Sequence, residues 1–249
     1  MARKGKLTER TRDVLERPKS MRHYPVFIMI LCEDEGWEPY YFGKFKQLFN
    51  DIFPKDTVFL VPTGTGRNSK GVVEKAVEGK AASLNQYGKA VDEVWAVFDK
   101  DDLDVENKNA ERFEEAFRIA EANDIKVAYS NECFELWLLL HYMDVDADMP
   151  LHRHSNKETG EKGIYELLER EINKGRTPNA KIVYDHKRFT PEIIEAVFNS
   201  NNEANAIERS KVLDEKQKDK KPIDANPNTK VYLLVKHLRE LLDWYRSAK

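Results

Sequence analysis

Asp92–Asp102 reads D-E-V-W-A-V-F-D-K-D-D, and this stretch decides the fold. Val94 to Phe98 form a short apolar run of β-branched and aromatic residues, as a strand buried on both faces does. The run stops abruptly at Asp99, Lys100, Asp101 and Asp102. In an open α/β sheet the chemistry gathers just past the carboxyl ends of the strands. Three carboxylates there, two of them in an Asp-x-Asp pair, suit a hard cation such as Mg²⁺, which takes oxygen ligands. A strand running into a solvated acidic turn would give the same string, because Asp is common in turns.

Outward from this stretch, three more strands are expected at Val26–Cys32, Thr57–Val61 and Ile125–Tyr129. Helical spacing lies between them. Glu38–Phe49 places Tyr41, Phe45, Leu48 and Phe49 on one side, and Asn109–Asn123 does the same with Phe113, Ala116, Phe117 and Ala120. Gly71–Gly88 reads as a helix broken around Gly79, and Glu132–Tyr142 as an apolar helix that Asn131 could cap. Strands alternating with helices predict an α/β fold with a mostly parallel sheet flanked by helices.

After Tyr142 the character changes. Asp144, Asp146 and Asp148 open like a calcium loop, but the sixth position is not Gly and the twelfth is Ser155 rather than Glu. The segment reads as an acidic linker. Only helices are expected beyond it, over 163–173, 191–213 and 228–247, with Asp214–Pro222 a solvated, mixed-charge linker. The organisation expected is a basic tail over 1–22, a catalytic domain over 23–150, and a helical region over 151–249 that does not extend the sheet.

Composition narrows the function classes. A net charge of −3 over 249 residues excludes a general basic coat for nucleic acid. The charge is uneven, since Met1–Arg22 carries eight Lys or Arg against three Asp or Glu. Such an arm can track phosphates or simply solubilise the chain. Two cysteines, Cys32 and Cys133, supply neither a disulfide framework nor a four-cysteine zinc site. No apolar run reaches the roughly 20 residues a bilayer span needs, and the first residues lack the apolar core of a signal peptide. A cytoplasmic protein with no membrane partner is expected.

A second acidic cluster, Glu33, Glu35 and Glu38, follows the first strand. Helix capping explains Glu38, because acidic residues are favoured in a first turn, but it explains Glu33 poorly. If the two strands are neighbours, both clusters leave the same edge of the sheet, and cations would relieve their repulsion. The candidate metal ligands are therefore Glu33, Glu38, Asp99, Asp101 and Asp102, around Mg²⁺ or Mn²⁺. Lys100, Arg67 and Lys70 are candidate phosphate contacts. The loop Pro62–Gly66 lacks the P-loop pattern. Glu135 and His141 are polar members of an apolar helix. Glu135 is a candidate catalytic residue, either a further metal ligand or a partner that positions one, and His141 either a phosphate contact or a satisfied core imidazole. His152 and His154, flanking Arg153, read as an exposed basic patch rather than zinc ligands.

Cys32–Phe42, C-E-D-E-G-W-E-P-Y-Y-F, resembles the N-terminal signature of the RloB family. Val97–Asp102, Ser130–Tyr142 and Asn226–Val231 are similar to its later motifs, in the same order. Asp34, Trp37 and Glu132 depart from the family's usual Gly, Thr and Pro. The resemblance implies a Toprim-like catalytic domain in which Glu33, Asp99 and Asp101 handle metal and phosphodiester. It also implies a place in bacterial anti-phage defence beside an ABC-type ATPase, in an abortive-infection pair. The expected activity is endonucleolytic, on DNA or RNA. Analogy with ATPase-coupled tRNA cleavers adds structured RNA to the substrates. The partner contact is expected on the helical C-terminal region, taken as unnecessary to the catalytic edge, and a homo-oligomer is left open. The alternative is a catalytically silent Toprim-like module that binds nucleic acid or the ATPase. A nucleotidyltransferase or primase finds no nucleotide-binding loop in support.

Overall fold

A computed structural model describes residues 26–53, 58–101 and 108–247. The basic tail and Asp102 lie outside the described residues. Four strands, β1 (Val26–Cys32), β2 (Val58–Gly64), β3 (Glu93–Asp99) and β4 (Lys126–Asn131), run parallel. A two-residue strand, β5 (Asn228–Thr229), adds antiparallel to β4 and completes the order β2-β1-β3-β4-β5. Helices α1 (Trp37–Ile52), α2 (Ser69–Tyr87), α3 (Asn109–Ala122) and α4 (Glu135–Leu139) alternate with the parallel strands. The C-terminal helices are α5 (Ile164–Ile172), α6 (Pro191–Phe198), α7 (Glu203–Gln217) and α8 (Val231–Ser247). The fold is α/β, as the sequence predicts.

The apolar strands are covered on both faces. Ile28, Ile30, Trp95 and Val97 point into a large core shared with α1, α4 and the C-terminal helices. Phe27, Met29, Val94, Ala96 and Phe98 point the other way, onto α2 and α3. Successive side chains of a strand alternate between faces, which is why continuous apolar runs suit these strands. The order also creates a crevice. β1 is followed by β2 on one side, and the chain then returns to β3 on the other. The helices leaving β1 and β3, α1 and α3, lie on opposite faces. Loops that diverge in this way leave room for a ligand at the carboxyl edge between the two strands.

Several local expectations are corrected. The helix through Gly79 is continuous, because the missing Cβ gives room to the Met29 methyl, and the glycine therefore serves packing rather than a break. The helix expected over 132–142 shortens to α4. Asn131 does not cap it; its amide donates to the carbonyls of Pro222 and Ile223 at 3.1 Å each. The segment expected as one helix over 191–213 is two, α6 and α7. Much of the solvated linker expected at Asp214–Pro222 is structured. Helix α7 runs on to Gln217, which is buried, and Asp214 accepts from the Tyr232 hydroxyl at 2.7 Å and pairs with Lys230. Asn228 and Thr229 join the sheet instead of opening a helix. Thr229 meets the Ser130 hydroxyl at 3.0 Å, a polar pairing that an apolar-run search passes over.

Candidate active site at the carboxyl edge

Glu33 and Asp99 leave neighbouring strands at the same edge. The Glu33 amide donates to the Val97 carbonyl at 3.0 Å, and the Glu33 carboxylate accepts from the Asp99 amide at 2.9 Å. Backbone bonds thus fix both residues at the mouth of the crevice. Asp99 continues the alternation of Trp95 and Val97 and so falls on the face of α1 and α4. There it meets the charges of Glu38 from α1 and Glu135 from α4.

Burial and mutual repulsion disfavour ionisation in this group. Burial first, and then the charge of Asp101, raise the Glu33 pKa from 4.5 to about 8. Burial and Glu33 hold Glu38 well above the usual carboxylate range; burial, Glu38 and Glu33 do the same for Asp99. Burial also raises Glu135, against the Tyr184 hydroxyl, which donates to its Oε1. Asp99 Oδ1 is buried without a hydrogen-bond partner. An all-oxygen donor set with such an orphan atom matches the chemistry of a hard divalent cation. Yet among the described residues no three His, Cys, Asp or Glu side chains stand grouped as a metal would hold them.

Asp101 shows part of the reason. It sits in the left-handed region at φ 61°, and its Oδ1 accepts from Arg153 Nη2 at 2.7 Å. Arg153 is carried by a segment that folds back from beyond the acidic linker. The Glu132 carboxylate accepts from the Arg153 amide at 2.9 Å and meets His152 Nδ1 at 2.6 Å. This corrects the view that the C-terminal region is unnecessary to the edge. Arg153 on Asp101 and Tyr184 on Glu135 both come from it. Sequence reasoning placed Arg153 in an exposed patch. His152 and His154 are indeed exposed, but Arg153 is half-buried among carboxylates.

The remaining candidates divide. Glu38 is buried, and its carboxylate accepts from the Asp34 amide at 3.1 Å. Asp34 itself accepts from the Trp37 amide at 2.5 Å and so closes the first turn of α1. Glu35 is exposed, away from the buried carboxylates, and its backbone packs against Gly64. Arg67 is exposed just before α2, and Lys70 pairs with Glu74 at 3.7 Å in the first turns of that helix. Lys100 is buried immediately after β3. His141 is the core imidazole of the two alternatives and not a phosphate contact. It is buried, its Nδ1 lies 3.0 Å from the Trp137 carbonyl, and burial lowers its pKa to about 4, so it is neutral at pH 7.

The fold and site define an α/β protein with a carboxylate-rich crevice at its sheet edge. A family model described as RloB-like protein matches residues 28–238, and the chain belongs to that family. No curated protein and no solved structure matches the chain. Among the described residues, no helix is long and apolar enough to cross a membrane.

Proposed function

We propose that the chain is a Toprim-like, Mg²⁺- or Mn²⁺-dependent endonuclease, the toxic effector of an anti-phage system controlled by an ABC-type ATPase. The observation that carries this reading is the half-buried Glu33–Asp99 pair at the crevice, with the buried Asp99 Oδ1 left without a partner. In this reading Glu33, Asp99 and Asp101 hold the cation, with Glu38 and Glu135 behind them. A bound divalent cation lowers the pKa of water and stabilises the charge that develops on a phosphate. Burial raises the Glu33 pKa to about 8 in the metal-free protein, so a cation held there would favour its ionised form. Arg153 meanwhile supplies Asp101 with the positive charge it otherwise takes from the cation. Glu135 is oriented by the Tyr184 hydroxyl.

The second reading is a catalytically silent module that binds nucleic acid or the ATPase, and Arg153 Nη2 on Asp101 Oδ1 at 2.7 Å, a protein cation on a candidate ligand, favours it. One experiment separates the two. Wild type, Asp99→Asn and Asp101→Asn are incubated with tRNA and with plasmid DNA, with Mg²⁺ or Mn²⁺, in the presence and absence of the ATPase. Wild type is expected to be weak alone and to cleave with partner and metal, whereas both variants stay silent. Asp99→Asn should melt no lower than wild type without metal, since it loses a repelling charge, whereas Asp101→Asn also loses its pair with Arg153; both should gain less from metal than wild type does. Full activity in Asp99→Asn overturns the nuclease reading. Silence of wild type with every component present selects the binding module.

A further inference from the structure

Four rings form a continuous stacked column beside the carboxylate edge. Trp37 lies on Tyr184 at 5.4 Å between centroids and 30° between planes, and Tyr184 on Tyr165 at 4.8 Å and 29°. Tyr165 lies on His186 at 5.7 Å and 7°. The column starts at a buried tryptophan and ends at an exposed histidine. His154 closes its side, edge-on to Tyr165 at 5.1 Å and to His186 at 5.2 Å.

Two basic triplets far apart in sequence, His152-Arg153-His154 and His186-Lys187-Arg188, meet at this contact. Tyr165, Tyr184, His186, His154 and Arg153 line a cleft of about 260 Å³, room for one base rather than a duplex. Two carboxylates also line it, and both are engaged. Glu166 accepts from Ser155 at 2.6 Å and pairs with Lys162, and Glu169 accepts from the Tyr184 amide at 2.8 Å. The cleft joins the candidate active site through two of its own residues, since Arg153 holds Asp101 and Tyr184 holds Glu135.

We infer that this column is a stacking site for one unpaired base of a single-stranded nucleic acid, held beside the strand-end carboxylates. Aromatic and imidazole rings bind bases by their faces, and only an unstacked base offers its face. The basic triplets supply the attraction for the flanking phosphates. A duplex keeps its bases stacked on one another and cannot extend the column. The inference rests on the proposed function only in taking nucleic acid as the ligand.

The test is binding, measured by fluorescence anisotropy on the full chain in EDTA so that no metal-dependent cleavage intervenes. The probes are a labelled single-stranded RNA, a single-stranded DNA of the same sequence, and the matching duplex. Wild type should prefer the single strands. His186→Ala should weaken single-strand binding by about fivefold or more, the loss of one stacked base. His186→Tyr should retain it, and duplex binding should change little in either variant. The RNA and DNA arms identify which nucleic acid is held. His186 is exposed, so its replacement leaves the core intact, and Tyr165→Leu supplies a second reading of the column. Unchanged single-strand binding in His186→Ala, or no binding of any single strand by wild type, overturns the inference. Single-strand binding that depends on His186, together with no cleavage under any condition, leaves the stacking site standing and rejects the nuclease alone.

Discussion

The carboxyl edge has two sides, built in different ways. On the strand side, backbone hydrogen bonds do most of the positioning. Glu33 is tied to Val97 and Asp99, and Thr65 to Cys32 at 2.9 Å. On the other side, a segment that returns from beyond residue 150 reaches the edge through side chains: Arg153 on Asp101, Tyr184 on Glu135, His152 on Glu132. The acidic half follows from sheet topology, while the basic and aromatic half depends on tertiary docking. The difference teaches that the C-terminal region is part of the site, so a partner bound to it could act on the carboxylates directly.

Each side is also seated by one close glycine. A Cβ on Gly64 would stand 2.5 Å from Glu35 Cα and 2.6 Å from the Asp34 carbonyl oxygen. A Cβ on Gly163 would stand 2.6 Å from the His154 carbonyl oxygen and from the Ser155 amide. Neither obstacle is a flexible side-chain end. Gly64→Ala and Gly163→Ala should therefore each lower stability by about 1–3 kcal/mol, read by thermal or urea unfolding. They should act on different sides. Gly163→Ala should impair His186-dependent binding and leave the β1 loop in place, and Gly64→Ala should do the reverse. Equal effects of both variants on both readouts would dissolve the distinction between the sides.

A smaller effect is expected from Arg153→Met, which keeps much of the side-chain volume and removes the charge. Asp101 is more than a third exposed, so solvent screens part of the pair, and the loss should be about 1–2 kcal/mol near pH 7. Asp101→Asn in the same background should add little, because the pair is already gone. Additive losses would show that Arg153 steadies the edge by some route other than Asp101.

The last effect is a slope rather than a fixed loss. The Glu33 pKa is raised in the folded state, so between about 4.5 and about 8 the folded protein binds more protons than the unfolded one. Stability then falls as pH rises through that window. In EDTA, Glu33→Gln should flatten this part of the pH–stability curve, measured by urea unfolding at several pH values. An unchanged slope would place the titration elsewhere in the carboxylate group.

Much of the fold was legible because its signals are local. Apolar runs and helical spacing report burial of nearby residues, and β1, β3, α1 and α3 lie close to where those signals place them. The elements that were misread are governed by distant partners. Gly79 answers to Met29, Asn131 to Pro222 and Ile223, and Thr229 to Ser130. His141 differs, since its partner is local: a position near the end of an apolar helix cannot say whether a ring faces phosphate or the Trp137 carbonyl four residues back.

By itself, the sequence determined that carboxylates would stand at the ends of two apolar strands. A strand that stops in acidic residues puts them at the sheet edge whatever the rest of the chain does. Tertiary structure alone decided that those strands are neighbours across a crevice. It alone brought Arg153 to Asp101 across 52 positions and Tyr184 to Glu135 across 49. Side-chain meetings at such separations have no period in the sequence. They exist because the C-terminal helices must close the apolar face of the sheet that α1 and α4 leave incomplete, and closing it carries the basic and aromatic residues to the edge.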